Sequence, residues 1–596
     1  MFQSFEVTAR PEQGPPRIAA LRVQLTKENL DGFLVPRADA YQGEYVSARD
    51  ERLSWLTGFT GSAGFCAALS DVAGLFIDGR YRTQVKAQTA DVYTPVPWPE
   101  VSLADWLIEQ LPNGGRVGFD AWLHTPGQIS QAERLLYGTG ITLVQSDNLV
   151  DRIWEDQPSP AAAPAKVHPI EFAGESHIDK CARLGQSLTQ MGAASAVITL
   201  PDSLCWLLNI RGADIPRNPI AQGFAVLHAD GTVDLFMDKV KLAEVRDHLG
   251  TAITCHDPVT FLDMLERLPG PVLLDKSSVP VRVADVIDNK VQWGDDPCAQ
   301  PKACKNAAEI SGSAKAHLRD GAAVVELLAW LDNQPAGSLT ETQAVTKLET
   351  LRRRDNALQD ISFETIAGTG PNGAIMHYRV TTETDSPLQD GQLIVLDSGG
   401  QYIDGTTDIT RTIAIGDPPE EACAAFTRVL MGMIAMSRLR WPKGLAGRDI
   451  EAIGRAPLWY AHQDFDHGLG HGVGAYLSVH EGPQRLSRVS TVPIQAGMIL
   501  SNEPGYYREG AFGIRLENLI VAETATTPQG GDEHRNMLRW RTLTFAPIDR
   551  RLIISDMLDK PTRLWLNSYH AETLDKIGPR VSPDTRLWLE QATAPL

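Results

Sequence analysis

Apolar residues recur at helical spacing in "RIAALRVQLTKENLDGFLV" from Arg17, and its last residues then run apolar without a break. The spacing puts Leu21 and Leu25 on one helix face, and the closing run predicts a buried strand. The same pattern returns in "HIDKCARLGQSLTQMGAASAVITL" from His177, where Leu184 and Leu188 take the places of Leu21 and Leu25. Each copy is followed by a similar piece, "RLSWLTGF" around Trp55 or "SLCWLLNI" around Trp206. Then come "GFCAAL" from Gly64 or "GFAVL" from Gly223, and further apolar strands. Two α/β domains of one type in tandem are predicted. The Pro/Ala-rich "DQPSPAAAPAKVHP" from Asp156 suits the linker between them.

Near Pro301 the patterning changes. "KNAAEISGSAKAHLRDGAAVVELLAWLDNQ" reads as a long helix with no strand before it, so a third domain opens here. Apolar strands follow in "QLIVLDSGG" and "TTDITRTIAIG", then helical stretches from Glu420 and Arg448, then strands in "AGMILSNEPGYY" and "FGIRLENLIVAE". Strands next to one another, with helices gathered apart, predict an α+β domain rather than a doubly wound sheet. The tail after Arg541 carries "RLWLNSYH" and "TRLWLEQA", helical pieces expected to pack on that domain.

Composition narrows the partners. The 596 residues are too many for one core, and 43% hydrophobic with 22% charged is ordinary for a globular protein. A formal net charge of -19 argues against nucleic acid or an anionic membrane as the main partner. Seven scattered cysteines without a C-x-x-C pair point to reduced thiols. The N-terminus lacks the apolar run of a secretory signal, and no segment is long and apolar enough to span a bilayer, so a cytoplasmic place is expected.

Four carboxylates stand where a core should be. Asp397 ends "QLIVLD", Asp408 lies in "TTDITRTI", Glu503 follows "GMILSNE", and Glu517 sits inside "GIRLENLIV". A buried carboxylate without a cation costs several kcal/mol. Any one of them could be met by an arginine or by exposure at a strand end; Arg515, two residues before Glu517, would share its strand face. Four within one stretch, together with a histidine, invite a common explanation. Five O/N ligands with bridging carboxylates can hold two divalent ions about 3.5–4 Å apart, a geometry suited to hydrolysis. With no cysteine in the set, a hard ion such as Mn²⁺ is favoured over structural zinc.

The histidine comes from "DHGLGHGVG", Asp466 to Gly474. Its glycines argue against a helix and for a backbone that passes close to a metal, a substrate or another packed chain segment. Gly470 and Gly472 would let the backbone present His471 to a metal, with His467 facing the same pocket.

In this order the residues resemble the pita-bread metallopeptidases. The matching motifs are "LDSGGQYIDGTTDITRT", "HGLGHGVG", "VHEGP", "SNEPGYY" and "GIRLEN". The family's ligand set falls on Asp397, Asp408, His471, Glu503 and Glu517. The tandem N-terminal pair, the opening of the third domain and the "WLNSYH" tail resemble its three-domain aminopeptidase P branch over essentially the whole chain. The resemblance implies a pita-bread catalytic domain behind two creatinase-N-like α/β domains. The expected bounds are 1–160 and 161–306 for the pair, 307–540 for the catalytic domain and 541–596 for a helical extension.

It further implies two divalent ions, Mn²⁺ favoured, and peptides with proline at position two, cut after the first residue. Glu503 would also carry protons, and His377 in "IMHYR", His467 and His480 would surround the substrate, with His480 or His377 stabilising the oxyanion. Arg515 would orient a metal-binding carboxylate. A homodimer is implied as well. The competing expectations are a prolidase-type Xaa-Pro dipeptidase and a metal-free binding or scaffold protein on the same fold.

Overall fold

The computed structural model describes residues 1–596, which divide into two compact units. One unit comprises Thr8–Ile170 and Glu175–Ala299. It contains two six-stranded mixed sheets. The first is built from β1 (Gly32–Pro36), β2 (Phe65–Leu69), β3 (Ala73–Ile77), β4 (Thr94–Pro97), β5 (Gly115–Phe119) and β6 (Ile141–Gln145). Their spatial order is β4-β3-β2-β1-β5-β6. The second uses β7 (Ser195–Ile198), β8 (Phe224–His228), β9 (Val233–Phe236), β10 (Ile253–His256), β11 (Val272–Leu274) and β12 (Val291–Trp293) in the order β10-β9-β8-β7-β11-β12.

The two orders are the same, and so is the sense of every pairing. The first three strands of each domain run antiparallel and the outer ones parallel. The duplication read from the apolar pattern is therefore a duplication of topology. The helices Gly14–Glu28 and His177–Met191 bury Leu21 and Leu25, and Leu184 and Leu188, as their spacing predicts. Full burial of such a side chain contributes about 1.5–3 kcal/mol. The predicted linker has no helix or strand before Lys166.

The other unit comprises Gln300–Leu596 with Met1–Val7 and Glu171–Gly174. The first residues, grouped by sequence with the first α/β domain, thus pack here instead: the Phe2 N–H donates to Glu349 at 2.8 Å, and the Gln3 side chain pairs with the Thr365 backbone. The long helix Ala307–Asp332 opens with a capping box, Asn306 and Glu309 each closing a free end of the first turn.

A three-stranded antiparallel sheet follows, β13 (Ile366–Thr369), β14 (Gln392–Ser398) and β15 (Ile409–Ile415), with β14 central. A four-stranded sheet joins β16 (Arg440–Pro442), β18 (Ile499–Asn502), β20 (Asn518–Thr524) and β21 (Met537–Thr542) in the order β16-β21-β20-β18. Between them in sequence lie β17 (Gly470–His471) and β19 (Phe512–Arg515). The helix Glu420–Ser437 supplies Phe426, Val429 and Met433 to a core that Ile394, Leu396 and Ile514 share from the strands. The tail forms helices Lys560–Ile577 and Pro583–Ala592 and joins the same core through Leu566, Tyr569 and Leu589. The architecture is α+β, as the pattern predicts.

Candidate metal centre

Register explains why four carboxylates meet. Asp397 stands opposite Thr410 in the β14–β15 ladder, and Asp408 lies two residues before Thr410. In the β18–β20 ladder Asn502 pairs with Asn518, so Glu503 and Glu517, the next residues outward, leave that ladder side by side. The two sheets meet where the Glu517 N–H donates to the Thr410 carbonyl at 3.1 Å.

The histidine arrives on the glycine-rich segment, and the close approach proves to be to packed chain. A Cβ on Gly470 would stand 2.0 Å from the Ser501 carbonyl oxygen, and one on Gly472 2.1 Å from the Glu481 carbonyl oxygen. Real Cβ atoms do not come that close, so only glycine lets β17 lie here. The Ser501 hydroxyl accepts the His471 backbone N–H at 2.9 Å and donates to Glu503 Oε1 at 3.1 Å. His471 Nε2 then lies 3.5 Å from both Asp408 Oδ2 and Glu503 Oε1. Ligand atoms of Asp408, His471 and Glu517 all lie within 4.8 Å of one another.

Asp408 and Glu517 are almost fully buried, and both carboxyls are held well above the usual carboxylate range. Burial is the main cause. The charges of Asp397 and Glu503 add to it at Asp408, and those of Asp408, Glu503 and Asp397 at Glu517. Hydrogen bonding answers only part of this demand. Thr410 Oγ1 donates to Glu517 Oε2 at 2.9 Å, while Asp397 Oδ1, Asp408 Oδ1 and Glu517 Oε1 are buried without a hydrogen-bond partner. Oxygens of this kind normally carry a partner. Three such atoms in a cluster of carboxylates and one imidazole fit hard divalent cations.

Arg515 behaves differently from the strand-face reading. β19 ends at Arg515 and β20 begins at Asn518, so Arg515 and Glu517 do not share one strand. The guanidinium reaches Asp397 instead, Nη2 standing 2.6 Å from Oδ2. Its Nη1 donates to the Tyr507 hydroxyl at 2.6 Å, and that hydroxyl lies 2.9 Å from His467 Nε2. His467 Nδ1 is 2.7 Å from the Gly468 carbonyl, which can only accept, so the proton sits on Nδ1 and Tyr507 donates to Nε2. His480 packs edge-on against His471, ring centres 4.2 Å apart. His377 lies half-buried in the turn after Ile375. The preceding turn, Gly370–Ala374, meets β19 backbone to backbone, since a Cβ on Gly513 would stand 1.7 Å from the Gly373 carbonyl oxygen.

Sequence reading missed Tyr507, Ser501 and Thr410. The first two stood within or beside "SNEPGYY", but nothing in their spacing marks them as partners of His467 or Glu503. Thr410 could have been found from register: it is the position opposite Asp397.

Known families cover nearly the whole chain. Models of the creatinase/prolidase N-terminal domain match residues 17–153 and 156–309. The model of metallopeptidase family M24 matches 311–524, and that of the C-terminal region of peptidase M24 matches 536–596. A relative from Coccidioides posadasii, described as a probable Xaa-Pro aminopeptidase P, is 37% identical over 99% of this chain and 95% of its own. The chain belongs to metallopeptidase family M24. A second relative of this M24 protein, the probable Xaa-Pro aminopeptidase P of Aspergillus niger, is 36% identical over 97% of the chain and 98% of its own. Among solved structures, the X-prolyl aminopeptidase of Caenorhabditis elegans, described as a cytosolic enzyme with a di-nuclear active site, matches 98% of the chain and 100% of its own. It does so at a TM-score of 0.94 and 32% identity. The prolidase of Pyrococcus horikoshii shares the fold over 62% of this M24 chain, at a TM-score of 0.50 and 23% identity.

Proposed function

We infer that this chain is an Xaa-Pro aminopeptidase, a metallo-hydrolase that releases the first residue of a peptide when proline is second. The observation that carries the reading is the cluster of carboxylates with unpartnered oxygens beside His471, in a chain matched end to end by aminopeptidase P relatives. Asp397, Asp408, His471, Glu503 and Glu517 would hold two divalent ions, Mn²⁺ best suiting so oxygen-rich a set. Bound there, such ions polarise the scissile carbonyl and lower the pKa of water.

The chain's own residues do the rest. Glu503 is half-buried and tethered by Ser501, which suits it to move a proton between water and the leaving amine. Arg515 holds Asp397 in place. His467, fixed as the Nδ1–H tautomer, and His480, packed on His471, would line the substrate with His377, and His480 or His377 would donate to the oxyanion.

The prolidase reading, in which Xaa-Pro dipeptides are the substrates, is the second candidate. The prolidase fold match spans only 62% of the chain, whereas the aminopeptidase match spans nearly all of it, which favours the first. Metal analysis of the purified protein with a matched peptide panel tests the reading, and full turnover by metal-free protein would end it. Four further proposals go with it. The division into four parts at residues 160, 306 and 540 is in keeping with four matched stretches, whose own joints fall at 153–156, 309–311 and 524–536. A cytoplasmic place is supported by seven free cysteines, and no helix is long and apolar enough to cross a membrane. Nucleic acid is set aside as a partner on the net charge of -19. A homodimer rests on the family resemblance; a monomer by light scattering at micromolar concentration, with undiminished activity, would rule it out.

A further inference from the structure

Glu481 follows His480 in "VHEGP" and has no role in the chemistry described above. It is nevertheless among the best enclosed carboxylates in the molecule. Its side chain and that of Lys305 are fully buried, with Lys305 Nζ 2.6 Å from Glu481 Oε1. Lys302, also buried, places its Nζ 3.3 Å from Oε2. Two ammonium groups around one carboxylate in a dry interior are a poor source of stability, because desolvation offsets most of the attraction. What such an arrangement does well is fix position.

The position it fixes is that of the His471 ring. The Glu481 backbone N–H donates to the Gly472 carbonyl at 2.8 Å. The same carbonyl lies 2.9 Å from His471 Nδ1. A carbonyl can only accept, so Nδ1 carries the ring proton and Nε2 keeps its lone pair toward Asp408 and Glu503. Both lone pairs of the Gly472 oxygen are thereby used, one by Glu481 and one by the imidazole. Gly472 has no room to adjust, since its missing Cβ would meet both the Glu481 carbonyl oxygen and Gln484 Nε2.

Lys305 is itself anchored to the strand that leads to Glu503. Its backbone N–H donates to the Gly497 carbonyl at 3.1 Å, and Gly497, at φ +92°, leaves no room for a Cβ against the Lys305 carbonyl. Lys305 thus ties the turn before β18 to the segment that orients His471.

We propose that Lys302 and Lys305 form a buried clamp on Glu481 that positions His471, holding it as the Nδ1–H tautomer with Nε2 presented to the metal centre. Glu481 is a positioning residue here and touches no substrate. The proposal rests on the reading of His471 as a ligand.

Three proteins test it: Lys305→Met, the triple variant Lys302→Met/Lys305→Met/Glu481→Leu, and His471→Ala. The triple variant replaces the whole cluster by apolar groups of similar size, which keeps a fold that one stranded buried charge could break. Mn²⁺ affinity is measured by titration calorimetry, and the His471 tautomer by ¹⁵N shifts of histidine-labelled metal-free protein, assigned by difference from His471→Ala. The triple variant, and Lys305→Met where it folds, should bind Mn²⁺ about 10–100-fold more weakly, as loss of an outer partner of a ligating histidine does. Both should also show a population of the Nε2–H tautomer. Wild-type affinity and a pure Nδ1–H signal in the folded triple variant, with affinity lost in His471→Ala, would overturn the clamp alone. Unchanged affinity in His471→Ala would overturn the ligand reading and the clamp with it.

Discussion

Arg515 places Nη2 2.6 Å from Asp397 Oδ2 while the other oxygen of that carboxylate, Oδ1, is buried without a hydrogen-bond partner. One oxygen is held and the other is left free to ligate. The same guanidinium donates to Tyr507, which donates to His467, so the arginine orients a carboxylate on one side and an imidazole on the other. Burial pushes the Tyr507 hydroxyl up to about 12, so it keeps its proton across the working range. Tyr507→Phe should leave metal content unchanged and lower kcat about five- to tenfold, the equivalent of one hydrogen bond of about 1–1.4 kcal/mol. Steady-state kinetics beside metal analysis checks this; an unchanged kcat would show that His467 needs no such partner.

Metal removal should reveal the conflict within the cluster. Asp408 and Glu517 are raised in the folded chain, so each favours folding at low pH and loses that contribution as pH rises through its raised value. Metal-free wild-type protein should therefore melt progressively below metal-free Asp408→Asn as pH climbs above the ordinary carboxylate range. Added Mn²⁺ should stabilise the wild type, more so at higher pH because ligands must lose protons to bind it. Thermal melts of both proteins from pH 5 to 8, with and without chelator, decide. A difference that does not grow with pH would contradict the assignment.

His471→Ala and Asp408→Ala should abolish turnover while the catalytic domain stays folded, since the carboxylate cluster opposes folding rather than driving it. Far-UV dichroism and peptide hydrolysis measured together check this. An inactive but unfolded protein would assign these residues to structure instead.

Much of this was legible in the sequence. The tandem repeat was visible because Leu21/Leu25 and Leu184/Leu188 keep helical period in both copies, and topology follows such patterns closely. The four carboxylates stood out because a charged residue in an apolar run demands a reason, and His471 because glycines flank it on both sides. Arg515 was harder. Its pairing with Asp397 joins residues 118 apart in sequence, and no local period reports contacts made across sheets. Lys305 and Glu481 were invisible for the same reason: each reads as an ordinary surface charge until the fold removes both from water.

Glu341 offers a test away from the metal centre. It is buried with no cation beside it, accepting from the Thr369 and Ser386 N–H groups, Asn372 and the Tyr378 hydroxyl. Burial raises it from 4.5 to about 7. Its contribution to stability is complete below the unfolded value and is lost as pH rises toward 7. Glu341→Gln should flatten this part of the stability curve, removing a loss of up to about 2–3 kcal/mol between pH 4.5 and 7. Urea melts across that range measure it. Parallel curves for the two proteins would mean the carboxyl titrates normally.

Proline at the second position has a shape no other residue shares. Its nitrogen carries no hydrogen and its ring fixes φ, so an Xaa–Pro bond presents a kinked shape and no amide donor. A pocket that recognises a second-position N–H would handle it poorly. A pocket shaped for the ring gains contacts that strengthen in the transition state and are lost when the ring is absent. Peptides Xaa-Pro-Yaa should therefore release one free amino acid, and replacing the proline by alanine should lower kcat/KM by about tenfold or more. His377→Ala and His480→Ala should reduce kcat on the proline peptide by on the order of 10²-fold or more, the usual scale for a lost oxyanion or proton partner. The dipeptidase alternative makes the opposite claim about length: Xaa-Pro would be the best substrate and Xaa-Pro-Yaa would be refused. A matched series of Xaa-Pro, Xaa-Pro-Yaa and Xaa-Ala-Yaa separates the two. Comparable rates on the proline and alanine tripeptides would defeat the specificity claim while leaving the metal centre standing.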